Sequence, residues 1–213
     1  MRPDDKPGKV RDWVTRHLDP LESYIEDRSH RSDFDLNPEM KRPDVDLTPA
    51  AVLVPIVQHD HGLSVVLTRR ADTLRQHTGQ IALPGGRLDP GETPWDAALR
   101  ETHEEIGLPS HRIEVAGLST PYRTGTGFLI TPVVGFVTPP VELTPNPHEV
   151  ADVFETPFGY LMDPSNYEQR YYDMPDGMRR WFYAVTHEER VIWGATAGLL
   201  RALYDRLYGA SLA

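Results

Sequence analysis

The chain has 213 residues, 39% of them hydrophobic, with a formal net charge of -10 and no cysteine. That length buries a substantial core in one principal domain plus an extension, and the charge excludes wholesale electrostatic attraction to nucleic acid or an anionic membrane. Disulfides, thiolate metal sites and cysteine nucleophiles are excluded outright, so a polyanionic ligand has to be met by a local basic pocket.

The chain opens with "MRPDDKPGKVRDW", which has no apolar signal core, and no run approaches the roughly 18 apolar residues of a membrane span. A soluble, cytoplasmic protein is expected, with no membrane and no nucleic-acid partner. Val10, Trp13, Val14, Leu18, Leu21 and Ile25 recur at three or four, predicting an amphipathic helix broken or kinked near Pro20. Its apolar stripe would pack on the main domain or on a second copy, which leaves room for a homodimer. The polar, proline-bearing stretch from Ser29 to Ala50 reads as a connector. We take residues 1–46 as extension and connector, and 47–213 as the main domain.

Beyond it come β-rich runs. "AAVLVPIV" and "LSVVLTRR" flank the turn "HDHG"; "RIEVAGLST", "FLITPVVGFVT" and "VADVFETPF" follow later. The stretch from Tyr171 to Gly194 predicts strands around a "PDG" turn. "ATAGLLRALYDRLYG" predicts a closing helix with Leu199, Leu200, Leu203 and Leu207 inside. Strands mixed with a few helices make this an α+β layered fold.

Between the second and third strands lies "ETPWDAALRETHEEIGL". Thr93 suits an N-cap, Pro94 the first helical position and Gly107 the stop. At 100° per residue Trp95, Ala98, Leu99, Thr102 and Ile106 share one side, while Glu101, Glu104 and Glu105 fall within about 100° of one another on another. Like charges so placed repel by a few tenths of a kcal/mol per pair, so a cation is expected there. Oxygen ligands without histidine or cysteine suit Mg²⁺ or Mn²⁺ rather than Zn²⁺. In isolation such a face is an ordinary solvated helix surface; the flanking residues decide otherwise.

Gly86, five residues, Glu92, seven residues and "RETHEEIGL" (Arg100–Leu108) resemble the signature of the Nudix hydrolases at every fixed position. Thr102 alone departs, standing where that signature has a bulky aliphatic. The resemblance implies the Nudix α/β/α sandwich, with a mixed β-sheet and a loop-helix-loop at the site. It implies metal ligands at Glu101, Glu104, Glu105 and the main chain of Gly85, with Arg100 orienting the glutamates and Glu92 completing a water-mediated shell or locking the loop. Metal neutralises charge building at phosphorus and acidifies water; Glu104, Glu105 or the later Glu149 could take the proton. Glu149 reads equally well as an ordinary loop carboxylate.

Upstream, Val66, Leu67, Thr68, Arg70, Ala71, Arg75, Gly79 and Pro84-Gly85-Gly86 resemble the extra motif of the coenzyme A pyrophosphatase branch, with Leu83 in place of its phenylalanine. That implies a coenzyme A-class nucleotide held by Arg69, Arg70, Arg75, His77, Gly79 and Gly86, with Arg87 close by and Arg123 a further candidate, since arginine's planar fork suits phosphate. Phe128 and Tyr160 could meet a base. The expected reaction is hydrolysis of the diphosphate of coenzyme A or acyl-CoA to 3′,5′-ADP and 4′-phosphopantetheine or its acyl form. The alternatives are hydrolysis of ADP-ribose or NADH, and a non-catalytic Nudix-fold nucleotide-binding module, which would be expected to have lost box glutamates.

Overall fold

A computed structural model describes residues 6–25, 30–40, 46–71 and 79–209. In chain order they form α1 (Pro7–His17), β1 (Arg31–Ser32), β2 (Thr48–His59), β3 (Gly62–Arg70), β4 (Ile81–Ala82), β5 (Gly85–Arg87) and α2 (Pro94–Ile106). There follow β6 (Ile113–Leu118), β7 (Tyr122–Arg123), β8 (Phe128–Val137), β9 (Val150–Pro157), α3 (Phe158–Leu161), β10 (Tyr167–Asp173), β11 (Arg179–His187), β12 (Arg190–Trp193) and α4 (Ala195–Tyr208).

β2 is the spine of a mixed sheet. It runs parallel to β8 from Thr48 opposite Phe128 to Val57 opposite Val137. Its other edge is shared, with β5 antiparallel at Ala50–Val52 and β3 antiparallel from Ile56 onward. Pro55, which has no N–H to give, falls between those two partners. On β8, Pro132 falls likewise between the stretch paired with β7 and the stretch paired with β6. Each proline thus sits where one partner strand hands over to the next, and the lost donor does little harm there.

Side chains alternate across the sheet. Ala51, Leu53, Val57, Val133 and Val137 pack under α2 on one face. Val54, Ile56, Val134 and Phe136 pack with α1 and α4 on the other. Two faces covered by helices make the α/β/α sandwich. Leu199, Leu200, Leu203 and Leu207 of α4 are all buried, as their spacing predicted, each contributing about 2 kcal/mol of apolar burial. A second sheet, in the order β10-β11-β12, joins the α4 side through Val185 and Ile192.

The N-terminal helix breaks before Pro20, as expected: α1 ends at His17, and a 3₁₀ turn over Leu21–Ser23 follows. Val10 and Val14 are fully buried, and Trp13 packs at 4.5 Å ring separation on Tyr208 of α4. Val10, Trp13, Val14 and Leu18 of the stripe therefore pack on their own chain, while Ile25 stays 63% exposed. The stretch read as a connector is docked rather than free over residues 31–40. β1 pairs in parallel with β7, and Asp33 accepts hydrogen bonds from the Tyr122 hydroxyl (2.9 Å), the Gly125 N–H (2.7 Å) and Arg180 (2.9 Å). It ties the main sheet to the small one.

Candidate active site

α2 forms where the sequence places it. Thr93 caps the N-terminus by accepting from the Asp96 N–H, Asp96 reciprocates on the Thr93 backbone, and Gly107 ends the helix in the left-handed region at φ 70°; few side chains tolerate that conformation. Thr102 is fully buried, and its hydroxyl donates to the Ala98 carbonyl at 2.6 Å. Its polarity is thereby satisfied within the helix, at the one position that departs from the signature.

The carboxylates do not share one exposed face. Glu104 has a side chain 53% exposed, Glu101 19%, and Glu105 as a residue only 4%. β5 runs beside α2 and covers the inner end of this arc. Gly86 leaves room for the Glu101 carboxylate, which a Cβ there would meet.

Arg100 organises the outer end. Its Nε and Nη2 grip the two oxygens of Glu92 at 2.8 and 3.0 Å, while Nη1 donates to Glu101 at 2.9 Å and to Glu104 at 3.3 Å. A further bond from Nη2 reaches the Arg87 carbonyl at 3.2 Å. The two-pronged contact, helped by the Asp89 N–H, holds the Glu92 carboxyl down at about 2. Glu92 thus locks the loop to the helix through Arg100.

Glu105 occupies the inner end. It accepts from the Gly85 N–H at 3.3 Å, and its other oxygen lies 3.9 Å from Arg70 Nη1. Burial pushes its carboxyl up to about 7 against those two favourable partners, with Glu101 and Glu149 adding to the rise. Glu101 is raised too, chiefly by burial, with Glu104 and Glu149 opposing its charge and Arg100 favouring it. Glu149 joins the cluster because its loop is stitched down. The Asn146 N–H donates to the Glu105 carbonyl, and the Ala71 N–H to the Glu149 carbonyl, both at 2.8 Å.

Four carboxylates therefore share one field. Among the described residues no three acidic or histidine side chains stand together as a ready-made metal cage, because Arg100 spans Glu101 and Glu104 while Glu105 is turned to Gly85. The donor set fits a hard cation all the same. Every member is oxygen, two are raised by burial and mutual repulsion, and a divalent ion would relieve both costs.

Arg70 faces the same place. Its Nε is buried and finds no hydrogen-bond partner among the described residues, an arrangement that suits an anionic ligand. Gly79, at φ 67°, turns the chain just ahead of Gln80, whose carbonyl accepts from the Arg70 N–H at 3.0 Å. Arg69 pairs on β3 opposite Ile81 and Asp152. Arg75 and His77 lie outside the described residues. Arg87 is exposed and stacks on Phe128 at 5.3 Å. Arg123 is buried over the Phe34 ring at 5.2 Å, in the joint with the N-terminal segment. Tyr160 donates to the Thr186 carbonyl and lines a different hollow with His59 and Glu155. The small sheet's aromatic face, beside the site, was not expected; alternation over "RRWFYAV" is the signal that could have found it.

The NUDIX domain family matches residues 47–181. A Photorhabdus laumondii protein described as an uncharacterized Nudix hydrolase, NudL, is 37% identical over 86% of this chain and 97% of its own length. NudL of Escherichia coli O7:K1 is 37% identical over 79% of this chain and 87% of its own length. The Nudix hydrolase RenU of M. smegmatis is 24% identical, covering 78% of this chain and 86% of its own, at a TM-score of 0.49. No helix among the described residues is long and apolar enough to cross a membrane. The chain belongs to the Nudix hydrolases, enzymes that cleave phosphoric anhydrides in nucleoside diphosphates linked to another group and generally need a divalent metal ion.

Proposed function

We propose that the chain hydrolyses the diphosphate of coenzyme A or its thioesters to 3′,5′-ADP and 4′-phosphopantetheine, or the acyl form of the latter. One observation carries the reading. The motif that resembles the coenzyme A pyrophosphatase branch meets the glutamate box in space, with Arg70 of the first 3.9 Å from Glu105 of the second and its buried Nε unpartnered among the described residues.

Glu101, Glu104 and Glu105, with the main chain of Gly85, would hold Mg²⁺ or Mn²⁺. The bound ion supplies charge neutralisation at the diphosphate and a more acidic water. The protein's own groups do the rest. Arg70 binds an anionic oxygen of the diphosphate. Arg100 holds Glu101 and Glu104 in place, with Glu92 fixing Arg100 in turn. Water adds to one phosphorus as the anhydride P–O bond breaks. Its proton passes to a carboxylate, for which Glu149 and Glu105 are the candidates, both within the cluster's field. Placing these charges around the reacting phosphorus before reaction lowers the barrier.

The test is chromatographic product analysis after incubation with coenzyme A, ADP-ribose and NADH, with Mg²⁺, with Mn²⁺ and with chelator, beside Glu104→Gln. Production of 3′,5′-ADP from coenzyme A, abolished by chelator and by the substitution, is expected. Faster turnover of ADP-ribose or NADH would transfer the assignment to that substrate, and turnover of none would favour a binding module.

A further inference from the structure

Beside Gly85 the protein has two adjoining hollows. The inner hollow, about 200 Å³, is lined by Arg70 and Gly85 and by the apolar side chains of Leu83, Phe128, Ile130 and Leu199. The outer, about 230 Å³, is walled by Tyr172, Phe182 and Trp193, with Arg180 and Asp33 beside them. Gln80, Thr124, Thr126 and Ala195 line both, so the two are neighbours.

Strand register builds the outer wall. Tyr172 lies opposite Arg180, and Trp193 opposite Ala184. Arg180, Phe182 and Ala184 alternate onto one face of β11, so Tyr172, Phe182 and Trp193 project from the same side of the small sheet. Their rings follow one another at centroid separations of 6.0 and 5.4 Å. Tyr172 and Trp193 nevertheless stay 42% and 38% exposed. An aromatic wall left open to solvent is a costly surface unless something covers it.

The polar groups around the wall narrow the occupant. Asp33 is already committed to Tyr122, Gly125 and Arg180, so it fixes the hollow's side rather than reading a ligand. Thr126 and Gln80 line both hollows, the Thr126 hydroxyl already paired with Thr124 at 2.9 Å. A planar heteroaromatic ring would use the aromatic faces for stacking, and an aliphatic thiol arm would not.

The geometry points to the outer hollow as the seat of the substrate's nucleobase, stacked on Trp193 and Phe182, with the diphosphate lying past Thr126 and Gln80 at Arg70 and Gly85. The inference rests on the diphosphate-hydrolase reading above and adds the direction in which the nucleoside half extends. It makes Trp193 a specificity residue and leaves the apolar floor around Leu83 as the turn between base and diphosphate.

The test uses the two halves of the molecule separately, titrated calorimetrically into the full chain without metal: 3′,5′-ADP, which carries the base, and 4′-phosphopantetheine, which does not. Trp193→Ala is expected to weaken 3′,5′-ADP about ten-fold or more, from the loss of base stacking, while 4′-phosphopantetheine binds as before. Trp193→Phe should restore most of the loss, which a merely structural defect would not show. A loss confined to 4′-phosphopantetheine would place the thiol arm in the hollow and overturn the proposal. A loss on neither half, or no binding of 3′,5′-ADP to the unaltered chain, would overturn it equally. Coenzyme A hydrolysis, run in parallel, reads the other reading. Absent turnover with Trp193-dependent 3′,5′-ADP binding removes the hydrolase assignment alone, and normal turnover with Trp193-indifferent binding removes the base site alone.

Discussion

Asn37 binds the backbone of Trp181 on both sides: its amide donates to the Trp181 carbonyl at 2.9 Å, and its side-chain oxygen accepts from the Trp181 N–H at 2.7 Å. Its amide also reaches the Asp33 carbonyl at 2.7 Å, and the residue is only 1% exposed. One side chain from the N-terminal segment thus completes the hydrogen bonding of a strand in the small sheet. Asn37→Ala would take this partner from the part-buried N–H and C=O of Trp181 and from the Asp33 carbonyl, at about 1–3 kcal/mol for each group that water does not reach. The expected result is a clear drop in thermal midpoint with activity retained at low temperature, read by calorimetry and a product assay. An unchanged midpoint would show the segment to be dispensable.

Arg100 offers a second test, because four carboxylate oxygens depend on its planar fork. Arg100→Lys keeps the charge and loses the fork. Mn²⁺ affinity, measured by electron paramagnetic resonance, should fall by about 10–100-fold, the usual consequence of disturbing groups that orient metal ligands. Equal affinity in the variant would mean that the glutamates hold their own positions.

Glu105 predicts a pH dependence of definite sign. Its folded value, about 7, lies above the ordinary 4.5, so the folded state binds the proton more tightly than the unfolded one. The resulting stability is fully present below about 4.5 and is lost as pH rises through about 7, an effect of up to about 3 kcal/mol. Chelated protein should therefore melt lower at pH 8 than at pH 5.5, and Glu105→Gln should flatten that slope. Metal binding, which competes with the proton, should strengthen over the same interval. Glu92 acts oppositely: with its carboxyl held at about 2, its contribution exists above about 4.5 and disappears as pH falls toward 2.

Gly86→Ala tests the close approach of β5 to α2. The added methyl meets the Glu101 carboxylate rather than a backbone wall, so the chain should fold while Glu101 is displaced. A fall of about 100-fold in turnover, with a small change in melting temperature, is expected from misplacing one group by about an ångström. A variant of normal rate would show that Glu101 is free to move.

Much of this was legible in the chain. Thr93, Pro94 and Gly107 bounded α2 because caps and stops are local chemistry, and the leucines of α4 gave their inner side by period alone. The same wheel grouped Glu105 with Glu101 and Glu104 but gave no sign of its burial. A helical projection shows angles but not how far β5 wraps around the helix, and it is β5 that buries Glu105. Asn37 and Asp33 were read as polar connector residues, which their types allow. Their partners, Trp181, Tyr122 and Arg180, stand far along the chain, and hydrogen bonds between distant segments leave no periodicity to detect.

The prolines in β2 and β8 have a consequence for assembly of the sheet. If β2 slid against β3 or β5 by one residue, every side chain would exchange faces, and the stretch without an N–H would move from its gap toward a paired position. Pro132 imposes the same condition on β8 from the opposite edge. The two central strands therefore carry their own alignment marks. A folding chain that zips them out of step meets a missing donor as well as a reversed core, which disfavours the mispaired sheet early, before the helices have packed on it.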